Sequence, residues 1–395
     1  MPPRAVPILL PPLADGVRSA RWVLPVATQP IAHGGVVYDG GDVDEFTNVP
    51  PAACDLPTHA ILPGLVNAHT HLDLSGFAAP IAAGQGLPEW IPKVVQSRAA
   101  SPADAVARGI DESLSQGCLA AGDVCVAEGD DVGEASDAHH KRSPFERRRF
   151  LETLSLDPAK WDAAVDRASA FLARDPTHGL SPHATYSVPL PLLRRLVDAA
   201  IAAEGDRGVM MHVAEHPAER DLLRRGEGPF RKMLDALGVW RADAFGGGSI
   251  ADVLAELLRS TRPLVAHGNH LTEAEIGQLA AHGNATVVWC PRTHAHFGQP
   301  RHPVAELLAA GVRVAIGTDS RASSPDLSVW SEAVFAARSR PDLDGHEIVR
   351  MVTQSAAAAL GLNGYGTIRP GTSQPLVAVP LAKPDAADWQ TALFG

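Results

Sequence analysis

Eight short apolar runs, most of them followed by an amphipathic helical stretch, divide the chain between residues 60 and 318. They cover residues 60–67, 118–125, 149–155, 179–183, 209–213, 263–267, 285–290 and 312–318. Apolar runs of this length, bounded by turn residues, read as buried strands. The stretches between them, such as 190–203 and 272–282, have helical periodicity. Strands separated by helices must run parallel, because a parallel pair needs a long crossover where a hairpin needs two residues. Eight β/α units in about 300 residues predict a closed (β/α)8 TIM barrel.

The flanks read differently. From residue 18 to about 60 the chain shows short β-prone runs (21–26, 35–38) and a Gly40-Gly41-Asp42 turn, the pattern of a small antiparallel sheet. Residues 366–379 have the same character. The simplest division is a β unit formed by 1–60 and 366–395, with the barrel at 61–365 inserted between them. With 395 residues, 45% apolar and 20% charged, the chain can bury a core of that size.

Charge and composition narrow the function. The net charge is −11 and no segment is strongly basic, which disfavours nucleic acid and anionic membrane surfaces as partners. No apolar run approaches the roughly 18 residues of a membrane span. The proline-broken start does not read as a signal peptide. The four cysteines form no CxxC pair, so a reducing cytoplasm is expected rather than a disulfide framework. Gly246-Gly-Gly-Ser249 lacks the lysine of a phosphate loop, and neither a Gly-x-Ser-x-Gly elbow nor a GxGxxG turn follows any strand. Residues 129–149, with His139-His140, read as a solvated polar connection.

Polar residues cluster at the C-terminal ends of the predicted strands: His69 and His71, His183, His212, His267 and Asp319. In a barrel these ends converge on one mouth, where active sites are built. His69-Thr70-His71 places two imidazoles on one face of a strand end, and other strand ends supply His212 and Asp319. Three imidazoles and a carboxylate suit one divalent ion, zinc first, with iron or manganese as alternatives. A catalytic site of this kind leaves a position open for water, whose pKa the ion lowers to about 7. Asp319 also fits a helix N-cap, but the strand before it favours the ligand reading. Glu215, three residues past His212, is placed to shuttle protons beside the metal without binding it. His267 is placed to orient water or polarise the reacting group, and His183 to hydrogen-bond a substrate ring nitrogen.

The motifs carrying these residues resemble the amidohydrolase superfamily, and within it the aminohydrolase branch of adenosylhomocysteine, guanine, triazine and aminodeoxyfutalosine deaminases. They are Leu62-Pro-Gly-Leu-Val-Asn-Ala-His69-Thr-His71, Ser181-Pro-His-Ala-Thr-Tyr186, His212-Val-Ala-Glu215, Ala266-His267-Gly-Asn-His-Leu271, Trp289-Cys-Pro-Arg-Thr293 and Gly317-Thr-Asp319-Ser320. The resemblance implies a distorted barrel with a small β-sandwich domain made by both termini. It also implies one metal on His69, His71, His212 and Asp319, with Glu215, His267 and Asp319 in catalysis, and a homodimer. The bridging lysine of binuclear branches has no counterpart on strands 149–155 or 179–183. The segment Gly86-Leu-Pro-Glu-Trp90 resembles the wall of the family's pocket, with Trp90 as a stacking platform or a core residue. Arg292 and His294 are further candidate substrate contacts. The chain departs from the branch at Thr293-His294-Ala-His296 and at Arg321-Ala-Ser-Ser324, both expected at the barrel mouth, where substrate is selected.

The expected reaction is hydrolytic deamination of an aminated N-heterocycle, purine-like, with aminodeoxyfutalosine one candidate. Water adds to the amine-bearing ring carbon, Asp319 takes its proton, Glu215 protonates the ring nitrogen, and ammonia leaves. Hydrolysis of a cyclic amide or of a chloro- or alkylamino-heterocycle on the same metal is the alternative. A non-catalytic, metal-stabilised binding protein is the alternative from another class, and the presence of Glu215 and His267 argues against it.

Overall fold

The structure, a computed structural model, describes residues 6–97, 102–126, 145–205 and 207–395. Most of the polar connection carrying His139-His140 lies outside the described residues. Eight parallel strands form one sheet in sequential order: β6 (Leu65–Thr70), β7 (Cys118–Cys125), β8 (Glu146–Thr153), β9 (Gly179–Pro182), β10 (Gly208–Val213), β11 (Arg262–His267), β12 (Thr286–Trp289) and β13 (Arg313–Ile316). Each coincides, within a few residues, with an apolar run of the sequence, and the helices Leu190–Ala202 and Glu273–His282 fall where their periodicity placed them. Every residue of β6, β7, β10 and β11 is buried, as expected of parallel strands covered on both faces.

The period-two alternation separates two cores. Val66, Ala68, Ala120, Val124, Met210, Leu264, Ala266, Val288 and Ala315 pack together inside the barrel. The intervening Leu65, Ala121, Val209, Met211, Val265, Val287 and Val314 pack against surrounding helices through residues such as Leu192, Leu196, Leu254 and Leu257. The ring closes by a single parallel bridge between Thr70 and Asp319, and the amides of Thr318 and Asp319 both donate to the His69 carbonyl at 3.1 Å. Closure therefore brings the first-strand histidines against the last-strand aspartate.

A second, six-stranded sheet packs against the barrel unit, with Trp22, Ala60, Leu62, Val377 and Val379 sharing a core with Leu65, Cys118 and Ala121. It contains β1 (Ile8–Leu10), β2 (Gly16–Val23), β3 (Ile31–Asp39), β4 (Asp42–Asn48), β5 (Leu56–Pro63) and β14 (Leu376–Pro380), in the order β1-β14-β5-β2-β3-β4. It was expected to be antiparallel, but β2 pairs with β5 in parallel, because the C-terminal strand β14 occupies the antiparallel place on the other side of β5. The apolar run at 60–67 is split between the two sheets. Its first half belongs to β5 and its second to β6, and the chain passes over at Gly64. A Cβ on Gly64 would collide with the buried Leu119 side chain and crowd the Pro375 carbonyl oxygen at 3.1 Å, so a larger residue there would force the two sheets to shift at their junction.

Candidate metal centre and catalytic pocket

The strand ends build the site residue by residue. His69 is fully buried on β6; its Nδ1 lies 3.0 Å from Met210 Sδ, and its Nε2 is buried with no hydrogen-bond partner among the described residues. His212 donates from Nδ1 to the His183 carbonyl at 2.6 Å, which leaves the lone pair of Nε2 facing His71 Nε2 at 3.4 Å. Asp319 Oδ1 lies 3.7 Å from Nε2 of both His69 and His71. The ligand atoms of His69, His71 and His212 all fall within 4.8 Å of one another.

Three imidazole nitrogens crowded around one point are mutually unfavourable unless a proton or a cation is shared between them. The orphaned Nε2 of His69 makes the same point. Burial holds the pKa of His69 well below its usual value, with the neighbouring His212 and His71 adding to the effect, and lowers His212 to about 4. Neutral imidazoles are the form that binds a metal, so the donor set fits a divalent ion. Asp319 borders this set, its Oδ1 turned to the His69 and His71 rings. Its other oxygen, Oδ2, accepts a hydrogen bond from Ser323 at 2.8 Å, and Ser323 is itself 3.0 Å from Thr293 Oγ1. Burial raises the Asp319 carboxyl to about 7 against these hydrogen bonds; a cation at the site would pull it back down. Gly317 is required just before it, because a Cβ there would lie 2.7 Å from the His69 carbonyl oxygen.

Two further groups flank the cluster. His267 is 2% exposed; burial, then the neighbouring His212 and His69, keep its imidazole neutral. Its Nε2 lies 3.5 Å from Glu215 Oε1. Burial pushes the Glu215 carboxyl well above the usual carboxylate range, and the Asp319 and Glu219 carboxylates push it further. Three of these strand ends share a backbone feature. Ala214, His267 and Asp319 all have left-handed φ values, 53°, 68° and 55°. Non-glycine residues adopt that conformation where the surroundings over-determine it, often at functional sites. The carbonyl of His267 is held by His302, which donates from Nε2 at 2.8 Å.

The cluster forms the floor of a cavity of about 870 Å³, toward the upper end of the roughly 300–1,000 Å³ usual for small-molecule sites. His71, His183, His212, Glu215, His267 and Asp319 line its inner end. Trp90, Val94, Met233, Leu237 and Val239 line the outer part, and Asp157, Lys160 and Arg241 are also in its wall. Trp90 is nearly buried, donates its indole N–H to the Ile81 carbonyl at 3.1 Å and packs edge-on against Phe297. His183 projects toward Glu152 (3.9 Å) and is braced at Nδ1 by Ser187 at 2.7 Å.

Arg292 and His294, expected as substrate contacts, do not line this cavity. Arg292 is locked in a buried ion pair with Glu332 at 2.6 Å and a second with Asp326 at 2.8 Å. It braces the loop that carries Ser323. His294 turns to the Pro300 backbone and lies edge-on to His302. Arg321, at one of the departures from the branch, is likewise structural, bonding Glu112 and the carbonyls of Phe77, Ala78 and Pro325. The motif reading missed Glu152, Tyr186, Ser323 and Glu219. The last had a signal in the sequence, a second acid four residues after Glu215.

The model of the amidohydrolase family matches residues 60–395. The aminodeoxyfutalosine deaminase of Deinococcus radiodurans is 34% identical over 353 residues, covering 83% of this chain and 81% of that protein. The 5-methylthioadenosine/S-adenosylhomocysteine deaminase of Pyrococcus furiosus is 27% identical over 348 residues, covering 84% and 77%. Among solved structures, an adenosine deaminase from Xanthomonas campestris with bound zinc superposes with a TM-score of 0.72 at 25% identity, covering 97% of this chain and 89% of that one.

Proposed function

Because the chain belongs to the amidohydrolase family, we propose that it is a zinc-dependent hydrolytic deaminase of a purine-like heterocycle, with aminodeoxyfutalosine the first substrate to test. The observation that carries the reading is a pairing of unlike groups on one cavity floor. Three buried imidazoles converge with Asp319, and a buried acid, Glu215, stands beside them. Bound by His69, His71, His212 and Asp319, the ion supplies Lewis acidity that makes a water nucleophilic near neutral pH. A structural metal site needs neither a protonated carboxyl nor a further histidine alongside it.

The chain's own residues account for the proton movements. Glu215, held in its acid form by burial, gives its proton to the ring nitrogen next to the amine-bearing carbon, which makes that carbon electrophilic. His267, neutral and within 3.5 Å of Glu215, orients the incoming water. Asp319 accepts one proton of the water and passes it to the departing amine, which leaves as ammonia; the water's second proton returns to Glu215 as the ring carbonyl forms. His183 and Trp90 position the heterocycle from the cavity wall. The apolar outer half of the cavity suits a substrate that extends beyond the heterocycle. The four free cysteines agree with a reducing cytoplasm, and among the described residues no helix is long and apolar enough to cross a membrane.

Metal analysis and an ammonia-release screen test the reading together. The expected result is one zinc per chain and ammonia from aminodeoxyfutalosine, 5-methylthioadenosine or adenosine, lost on chelation and restored by zinc. Full activity in a metal-free preparation removes the metal from the scheme. Carboxylate formed from cyclic amides, with no ammonia from aminated purines, replaces deamination by amide opening.

A further inference from the structure

Glu219 takes no part in the chemistry above, yet its carboxylate is almost fully buried, at 1% exposure. It is the first residue of the helix Glu219–Arg225, and its side chain folds back over the turn that leaves β10. Oε2 accepts from Thr185 Oγ1 at 2.8 Å and from the Ala214 amide at 2.9 Å; Oε1 accepts from the His216 amide at 2.7 Å. The Glu215 amide also donates to this carboxylate. No arginine or lysine forms an ion pair with it among the described residues. A buried carboxylate without a cation is tolerated only where donors occupy its lone pairs, and here four do.

The turn it holds decides where Glu215 points. In a regular strand alternate residues face alternate sides, so residue 215 would face away from the side that carries His212. The left-handed Ala214 (φ 53°) breaks the alternation. Glu215 then enters the same cavity as His212 and reaches His267. The amides that Glu219 gathers are those of the kinked residue and its two successors. Its bond to Thr185 ties this turn to the segment after β9, which also carries His183. We propose that Glu219 is the positioning residue for Glu215: its carboxylate fixes the 214–216 turn so that the acid of the reaction faces the heterocycle, and fixes that turn against the His183 segment. The proposal rests on the role given to Glu215 in deamination.

The Glu219→Gln variant tests it, since an amide turns N–H donors toward backbone N–H groups and cannot hold all four. With whichever substrate the wild-type enzyme deaminates, kcat falls on the order of 10- to 100-fold, KM stays within about threefold, and zinc content is unchanged. A crystal structure of the variant shows Glu215 turned away from His267. Unchanged kcat overturns the proposal, and so does a fall in kcat that tracks loss of zinc from folded protein. If Glu219→Gln does not fold, Thr185→Val decides. It removes one of the four donors, and a few-fold loss in kcat at constant KM and zinc content supports the proposal, whereas wild-type kcat overturns it. If the wild-type enzyme releases no ammonia from any aminated purine, the deaminase reading fails separately. The positioning role is then judged on the variant's crystal structure, and an unmoved Glu215 overturns it.

Discussion

Asp123 and Glu332 lie beside the same barrel mouth as Glu215 and Asp319 and are equally hidden, at 0%, 0%, 6% and 7% exposure, but their surroundings are opposite. Asp123 is clamped by Arg147 at 2.6 Å and caps the Leu72 amide at 2.9 Å, just past His71. Glu332 is clamped by Arg292 and accepts the Arg292 amide as well. Glu215 and Asp319 have no arginine or lysine ion pair among the described residues; they face neutral imidazoles and each other. A buried carboxylate with a cation in hydrogen-bond contact is a structural tie. One left without a cation is held at an energetic cost that the fold tolerates where chemistry or a metal uses it. The comparison also explains Arg292. A guanidinium beside a catalytic strand looks like a substrate contact in sequence, but here it neutralises Glu332.

The largest expected effect separates the two kinds most sharply. Glu215→Gln keeps the shape, removes the transferable proton, and lowers kcat by about 10²- to 10⁴-fold. Zinc content stays the same and the melting temperature is unchanged or higher, because no partner cation is stranded. Turnover near the wild-type rate would take Glu215 out of the proton path.

The opposite profile is expected at Glu332. Glu332→Ala leaves the Arg292 guanidinium buried with Asp326 as its remaining carboxylate partner, which costs up to about 3–5 kcal/mol of stability, read from denaturant midpoints. Replacing Arg292 and Glu332 together by apolar residues of similar volume recovers most of that loss. A Glu332→Ala variant within about 1 kcal/mol of wild type would mean that the ion pair is not the tie the geometry suggests.

The reach of the sequence follows the same division. Strands, crossover helices and metal-ligand candidates were legible because each depends on local pattern: apolar runs, helical periodicity, and histidines or aspartate at strand ends. His69, His71, His212 and Asp319 are far apart in the chain, but one rule about barrel ends gathers them. Partnership was not legible. Whether Arg292 meets substrate or Glu332 depends on the helix Val329–Ser339 packing against it, 40 residues away. The parallel β2–β5 pairing likewise depends on β14 arriving from the far terminus. Glu219 was hidden for another reason: its partners are backbone amides, which no side-chain motif records.

An unpartnered polar group does not by itself mark a site, and the six-stranded sheet provides the control. The Tyr38 hydroxyl on β3 is buried with no hydrogen-bond partner among the described residues, and it packs with Val36, Val43 and Ile61, away from the catalytic cavity. Burial pushes its pKa up to about 12, which the nearby Arg18 only partly opposes. The folded state thus favours the neutral phenol over the phenolate. Stability from this group is fully present below the unfolded value near 10 and is lost as the pH climbs from about 10 to about 12. Tyr38→Phe removes the titrating group and its unpaired hydroxyl. It should leave kcat untouched, change stability at neutral pH by no more than about 0.5–1 kcal/mol, and flatten the alkaline fall in melting temperature between those two values. A variant that loses activity, or that melts at high pH as the wild type does, would show that the Tyr38 hydroxyl has a partner or a role that this isolated position does not suggest.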